Sequence, residues 1–447
     1  MLQSQKIDII IQNTRYYSTS NIHLLRLLCW GDTLTGRTIL HADMNNCYAS
    51  IEMLHHPKLR GHPVAVGGSV EQRHGIILAR NYEARPYGIK VGQALWQARQ
   101  LCPKIIIVPP DYDKYMRFSR HFRKILSDYS PQVEPFGLDE SWVDISGLTS
   151  RGKNGQVIAD EIRKRVKFEL GVTVSVGVSW NKIFSKLGSD IKKPDATTVI
   201  TENNYRDVVW SLPSADLLGV GGATKAKLAK YGIYTIGDIA NCNPDYLKKW
   251  MGKWGLFLHT YANGWDSSPV SEVGDESIIK SIGNSSTCPR DLENDYDAKI
   301  VFQNLAESVA ERMRELGLQA KTVEISIRDN ELSWCTRQVT LREPTHISTE
   351  LCQNAMNLLR ANHKWDKPLR SIGIRGSNLV PISDVRQLSF YEDEIKRSRA
   401  EKLEFTIDDI RRKFGHFAVD RAFMRLDEKL GKLNPKEEHV IHPIGYL

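Results

Sequence analysis

At 447 residues the chain is too long for one compact core, and about three domains are expected. Its 41% hydrophobic and 26% charged residues are those of a soluble globular protein, and no apolar run reaches the length of a membrane span, so no membrane partner is expected. The net charge of +8 is unevenly placed: residues 38–200 hold 23 Lys/Arg against 16 Asp/Glu, which suits a polyanionic ligand. Seven cysteines, no two closer than 17 residues, leave no Cys-x-x-Cys pair. Their odd number argues against a disulfide framework, and a reducing cytoplasm is expected.

Residues 1–37, with Arg15, Ser18, Thr19, Ser20 and Arg26 and few acids, read as an extension outside the fold. They are either a disordered tail or the product of a start codon called too far upstream; a transit segment is a weaker reading. Thr38 to Asp43 then reads as a short buried strand, and Cys47, Ile51 and Leu54 repeat behind it at helical spacing. An Asp at the end of such a strand can point into a cleft while its backbone stays tied down; taken alone, a helix cap is the simpler reading. Pro63–Gly68 and Gly75–Ala79 are two short strands. In Arg80–Lys90 rings alternate with cations, with Tyr82 and Arg85 offering a hydroxyl and a fork of donors suited to phosphate.

Lys104–Val108 is a strand halted by Pro109 and Pro110, and Tyr115–Tyr129 is helical. Next comes Pro135-Phe136-Gly137-Leu138-Asp139-Glu140-Ser141-Trp142. Adjacent carboxylates are ordinary in a solvated turn, but buried acids are expensive unless they are paired or hold a cation. In a regular strand Asp139 and Glu140 would face opposite ways, so a shared site needs the bend signalled by Pro135 and Gly137. Gln156–Leu170 reads as a basic amphipathic helix, Gly171–Val178 as a half-buried strand, and Asn181–Ile191 as a helix ended by Pro194. Lys182 and Lys186 fall four apart on that last helix and are expected to present an exposed pair of cations. Leu217–Leu228 is two helical pieces joined by Gly219-Val220-Gly221, where backbone N–H groups can approach a phosphate. Residues 262–276 read as a linker, 277–385 as strand, helix, strand, strand, helix, strand, and 386–447 as a short apolar peptide before a charged helix.

Together these stretches resemble the Y-family DNA polymerases, in particular the bacterial DinB or DNA polymerase IV branch. The resemblance runs from about residue 38 to residue 385. It rests on His41-Ala42-Asp43-Met44-Asn45-Asn46-Cys47-Tyr48, Asn81-Tyr82-Glu83-Ala84-Arg85, Leu138-Asp139-Glu140, Asn181-Lys182 with Lys186, and Gly219-Val220-Gly221, in the family's order.

The resemblance implies a mixed α/β and α+β multidomain protein shaped as a right hand. The palm would be 38–46 and 112–193, the small fingers 47–111, and the helical thumb with its helix-hairpin-helix 194–261. The linker would be 262–276, the DNA-binding little finger 277–385, and the tail 386–447. It further implies that Asp43, Asp139 and Glu140, with the carbonyl of Met44, hold two Mg²⁺ ions, for which Mn²⁺ can substitute. Tyr48 would be the gate against a ribose 2′-hydroxyl, and Tyr82, Arg85 and Lys186 the triphosphate contacts. Gly219, Gly221 and Lys225 would grip DNA, and Gln387, Leu388, Phe390 and Tyr391 would dock on the replication sliding clamp.

The implied activity is template-directed, low-fidelity, translesion DNA synthesis from dNTPs on primer–template DNA. It would come from a monomeric, cytoplasmic enzyme with no proofreading centre. Four positions depart from the family pattern: Asn45 for a further Asp, Cys47 for an aromatic, Gly137 for Ser, and Phe390 for an aliphatic residue. A two-metal nuclease would share the acids but has no use for Tyr48, Arg85 or Lys186. The alternative within the family is a non-catalytic or single-base-transferring scaffold at damaged DNA.

Overall fold

The computed structural model describes residues 36–69, 75–275, 278–382 and 394–435. The expected clamp peptide, Gln387 to Tyr391, and nearly all of the N-terminal extension lie outside the described residues. The chain forms two compact units, one from residues 36–61 and 111–275, the other from 62–110 and 278–435.

Strand β1 (Ile39–Met44) opens the first unit and is buried along its whole length. Its alternation sends Leu40, Ala42 and Met44 into a core shared with α1 (Cys47–His55), and Ile39, His41 and Asp43 to the opposite face. Residues 62–110 then supply the second unit with β2 (Val64–Gly67), β3 (Ile77–Arg80), α2 (Leu95–Leu101) and β4 (Ile106–Val108). These strands form a sheet of order β3-β2-β4, packed through Ala65, Ile77, Leu95 and Ala98.

The chain returns to the first unit with α3 (Tyr112–Ser127), β5 (Val133–Pro135), β6 (Glu140–Asp144), α4 (Gly155–Arg165), β7 (Val174–Ser179), α5 (Lys182–Ile191) and β8 (Thr197–Val199). The helix expected over 156–170 is α-helical to Arg165 and continues as a π turn over Val166–Leu170. The five strands order as β5-β6-β1-β7-β8, so β1 becomes the central strand. Phe122, Ile125 and Leu126 of α3 and Ile158 and Ile162 of α4 cover one face of this sheet. Helix α5 covers the other, and it comes very close. A Cβ on Gly177 of β7 would lie 2.6 Å from the backbone nitrogen of Ser189 and 2.9 Å from the carbonyl carbon of Gly188. Only glycine at 177 lets α5 settle at this depth.

On its far side α5 contributes Phe184 and Leu187 to a helical core with α6 (Gly222–Ala229), α7 (Ile236–Asn241), α8 (Pro244–Met251) and α9 (Lys253–Ala262). The second unit continues as β9 (Ser281–Leu292), α10 (Asp295–Glu315), β10 (Leu318–Asp329), β11 (Trp334–Thr345), α11 (Ser348–Asn362) and β12 (Leu369–Pro381). This is the expected element order, closed as an antiparallel sheet β11-β10-β12-β9 with a core shared by both helices.

The charged helix of the tail, α12 (Glu394–Phe414), is part of this unit rather than an appendage. Arg314 of α10 donates to Asp408 at 2.6 and 2.8 Å, and Arg411 and Arg421 both reach Glu307. Met424, Leu430 and Leu433 complete the core.

Candidate active site

The register of β1 against β6 sets Asp43 directly opposite Glu140. Directly opposed residues in an antiparallel pair share a face, so both carboxylates stand on the side that α5 covers. Asp139 lies one residue before β6, inside the bend that follows Pro135, and its carbonyl accepts the N–H of Met44 at 2.8 Å. The bend thus removes Asp139 from the strand's alternation and ties it to the end of β1. Gly137 lies within it, where a Cβ would stand 3.4 Å from Asp139 Oδ1.

Because α5 lies so close to the sheet, its cations reach these acids. Lys186 donates to Glu140 Oε2 at 2.5 Å. Lys193, two residues past α5, donates to Asp43 Oδ2 at 2.8 Å and pairs with Asp190 at 2.9 Å. Lys193 was not among the residues singled out in the sequence. A signal for it exists: it falls seven positions after Lys186, two helical turns on, and directly precedes the helix-stopping Pro194.

The expected pairing of Lys182 with Lys186 does not hold. Lys182 is buried, bonds Glu134 at 2.6 Å and lies 4.5 Å from the centre of the Trp142 ring, so it braces β5 and β6 instead of facing a ligand. His41 is also inside the site, fully buried, bonded to Ser189 at 2.8 Å and 3.5 Å from Glu140.

Burial raises all three carboxyls. It carries Asp139 to about 6, with the neighbouring Asp43 adding to it, and Glu140 to about 7 against the opposing pull of Lys186. Asp43 rises as well, held back by Lys193. Burial opposes the Lys193 ammonium, but Asp43 and Asp190 together move it above its ordinary value. His41 is held far below its usual value by burial and by both lysines, so it is neutral.

Asn45, where the family often has a further Asp, is a structural hub. Its carboxamide accepts from Thr173 and from the backbone of Asp195 and donates to Ser175. The side chain that follows the acid strand on α1, Tyr48, stacks on Tyr115 with centroids 4.2 Å apart and planes 7° apart, and meets Tyr112 edge-on. Burial raises its hydroxyl, with Cys47 and then Asp139 adding to the effect.

Tyr82 and Arg85 belong to the second unit, where the guanidinium lies 4.1 Å from the centre of the Tyr82 ring. Asn81 fixes their turn, accepting from the backbone of Val64 and Ala84 and donating to the carbonyl of His62. At the helical hairpin Gly219 has φ +89° and carries Trp254 against it, with the indole N–H on its carbonyl at 3.3 Å. Gly221 precedes α6 with nothing within 4 Å of where a Cβ would be, so the protein itself leaves that backbone uncovered. Lys225 on α6 is exposed.

The donor set fits hard divalent cations: one buried and two half-buried carboxylates whose mutual repulsion an ion would offset. Among the described residues, no three acids, histidines or cysteines already stand at single-ion spacing. Asp43 and Glu140 each turn an oxygen to a lysine.

Three family descriptions match the chain: the impB/mucB/samB family over residues 42–190, its C-terminal domain over 279–390, and the thumb domain of DNA polymerase iota over 215–266. DNA polymerase IV of Acetivibrio thermocellus is 48% identical over 397 residues, covering 89% of this chain and all of that protein. DNA polymerase IV of Moorella thermoacetica is 37% identical, covering 86% of this chain and 95% of that one. DNA polymerase IV 1 of Bacillus subtilis is 37% identical over 85% of this chain and 91% of its own length. Among solved structures, a chimeric Y-family DNA polymerase superposes with a TM-score of 0.68 at 24% identity, covering 77% of this chain and 99% of that one; this likeness concerns the fold.

Proposed function

The chain belongs to the impB/mucB/samB, or Y-family, DNA polymerases and is a DNA-directed DNA polymerase; from that premise we propose that it extends a primer on damaged templates at low fidelity, using the Asp43, Asp139 and Glu140 site. The observation that carries this reading is the register itself, Asp43 opposite Glu140 with Asp139 in the adjoining bend and two lysines on the acids.

Asp43, Asp139 and Glu140, with the Met44 carbonyl, would hold two Mg²⁺ ions, or Mn²⁺ in their place. Bound there, the ions supply Lewis acidity toward the primer 3′-hydroxyl and the leaving pyrophosphate. Lys186 and Lys193 exchange their carboxylate partners for the oxygens of the incoming triphosphate, which Tyr82 and Arg85 contact as well. Tyr48, stiffened by its stack on Tyr115, excludes a ribose 2′-hydroxyl. The uncovered backbone at Gly221, with Gly219 and Lys225, takes a DNA phosphate.

In this assignment the five-stranded sheet is the palm, 47–111 the fingers, 194–261 the thumb and 277–385 the little finger. The clamp peptide Gln387–Tyr391 lies in the tail. The enzyme acts as a cytoplasmic monomer without proofreading. Primer extension with single dNTPs on intact and lesion-bearing templates tests the reading. Incorporation opposite both, abolished by Asp139→Asn with primer–template binding retained, is expected. No incorporation with either Mg²⁺ or Mn²⁺ would overturn it and favour the scaffold alternative.

A further inference from the structure

The helical part of the first unit exposes a run of aromatic rings that the proposed reaction does not use. Tyr231, just past α6, lies on Trp250 of α8 with centroids 3.8 Å apart and planes 5° apart. Tyr246, one turn earlier on α8, is 5.7 Å from Trp250 and within 16° of parallel. The two tyrosines remain 45% and 56% exposed.

Their surroundings are cationic. Residues 222–262 contain six lysines against only Asp238 and Asp245, and no arginine or glutamate. Lys227, Lys230, Lys248, Lys249 and Lys253 are exposed, and none forms an ion pair among the described residues. Asp238 is occupied with capping, accepting the N–H groups of Tyr234 and Thr235.

Near-parallel rings that remain partly exposed suit planar, stackable partners, and unpaired lysines on the same helices suit a polyanion. A protein partner fits less well, because interface cores are depleted in lysine. A duplex fits less well too, because its base faces are already covered. We propose that Tyr231, Trp250 and Tyr246 form a stacking platform for unpaired bases of single-stranded DNA, with the flanking lysines on its phosphates. The choice of DNA over RNA rests on the polymerase reading; the platform itself does not. The eight residues of α6 separate Tyr231 from the Gly219–Gly221 hairpin by about 12 Å of helix, so the platform is distinct from that grip.

Fluorescence anisotropy on the full chain tests this, with three labelled probes: oligo-dT of twelve nucleotides, an abasic strand of the same length, and a blunt duplex. Expected is weaker binding of the abasic strand than of oligo-dT, and quenching of tryptophan fluorescence by oligo-dT that is lost in Trp250→Phe. Tyr231→Ala with Tyr246→Ala should weaken oligo-dT binding at least fivefold, since stacking is worth roughly 1–3 kcal/mol per base. It should leave the blunt duplex and single-dNTP extension within twofold, and Tyr→Phe at both positions should preserve oligo-dT binding. Equal affinity for oligo-dT and the abasic strand in the unaltered chain would overturn the proposal without any variant. Equal loss on duplex and oligo-dT would also overturn it, as would wild-type self-association that the double variant abolishes while oligo-dT binding is unchanged. Absence of primer extension bears on the polymerase reading alone.

Discussion

Replacing Asp408 by Ala should open the second unit, although the residue lies far in sequence from the active-site motifs. Arg314 on α10 has a side chain only 3% exposed, and it spends two of its donors on Asp408, at 2.6 and 2.8 Å. Its remaining fork nitrogen reaches Glu404 at 3.0 Å and the carbonyl of His346 at 2.6 Å. Removing one member of a buried pair costs about 3–5 kcal/mol, chiefly because a buried charge is left without its partner. Glu404 and His346 still hold Arg314, so the lower end applies, about 3 kcal/mol. At ~1.4 kcal/mol per factor of ten this is roughly a 150-fold rise in opening. Hydrogen exchange of the α10 amides in the full chain reads that change directly, without requiring the whole protein to unfold in one step. Arg314→Met together with Asp408→Leu should return exchange to within about tenfold of wild type, since apolar replacement of a buried pair is often neutral and Glu404, which loses Arg314, keeps Arg421 and Ser348. An Asp408→Ala rise below tenfold would refute the reasoning. The same geometry bears on the clamp peptide: deleting residues 386–447 would strip partners from Glu307 and Arg314, so clamp docking is better tested by substituting Gln387 and Phe390 alone.

Three other outcomes are expected. Tyr48→Ala should raise ribonucleotide incorporation by roughly tenfold or more, as removal of a steric wall does; an unchanged dNTP/rNTP ratio in single-turnover extension would take Tyr48 out of the gate. Lys193→Ala should raise the dNTP KM by roughly 10–100-fold, the size of a lost charged hydrogen bond, with DNA affinity nearly constant; an unchanged KM would leave Lys193 as a partner of Asp43 only. Mg²⁺ binding, followed by calorimetry in two buffers, should weaken between pH 8 and pH 6 and release protons, because metal ligands must be deprotonated while Glu140 and Asp139 sit at about 7 and about 6 without an ion. These raised values mean that the metal-free fold binds more protons than the unfolded chain between about pH 4 and 7, so its stability falls as pH rises through that window. An affinity flat with pH would contradict both statements.

The acids were legible in the sequence because each sat at a place where the chain must change direction. Asp43 ends a buried strand, and Asp139 follows Pro135 and Gly137. The α+β element order was legible too, since 281–381 alternates its periods cleanly. Lys182 and Lys186 show where such reading stops. Helical phase puts both on one face, but what that face meets is set by β5 and β6, and Glu134 lies 48 residues from Lys182. Lys193 escaped because it is outside the helix whose periodicity drew attention. The tail helix read only as a charged segment, with no packing partner, because Glu307 and Arg314 lie more than 90 residues away from it in sequence. A charge pattern carries no sign of whether its complement is water or another buried charge.

That same ambiguity explains how one set of side chains can serve the site with and without its ligands. Three clustered carboxylates alone would repel one another, and desolvation already pushes each of them toward the neutral form. Lys186 and Lys193 relieve this by taking one acid each. Under the proposed reaction, two divalent cations and a triphosphate of about −4 would bring nearly equal and opposite charge, so the net charge of the site would be almost the same before and after they enter. What would change is only which anion each lysine faces. The close seating of α5 on Gly177 makes that exchange short, because it holds both ammonium groups within reach of the acids whichever partner they take. Gly177→Ala is therefore the substitution that separates position from charge: it keeps every ionisable group and should still impair dNTP binding, by lifting the helix that carries Lys186. If dNTP KM stayed at the wild-type value in a folded Gly177→Ala chain, the depth of α5 would have no part in the site.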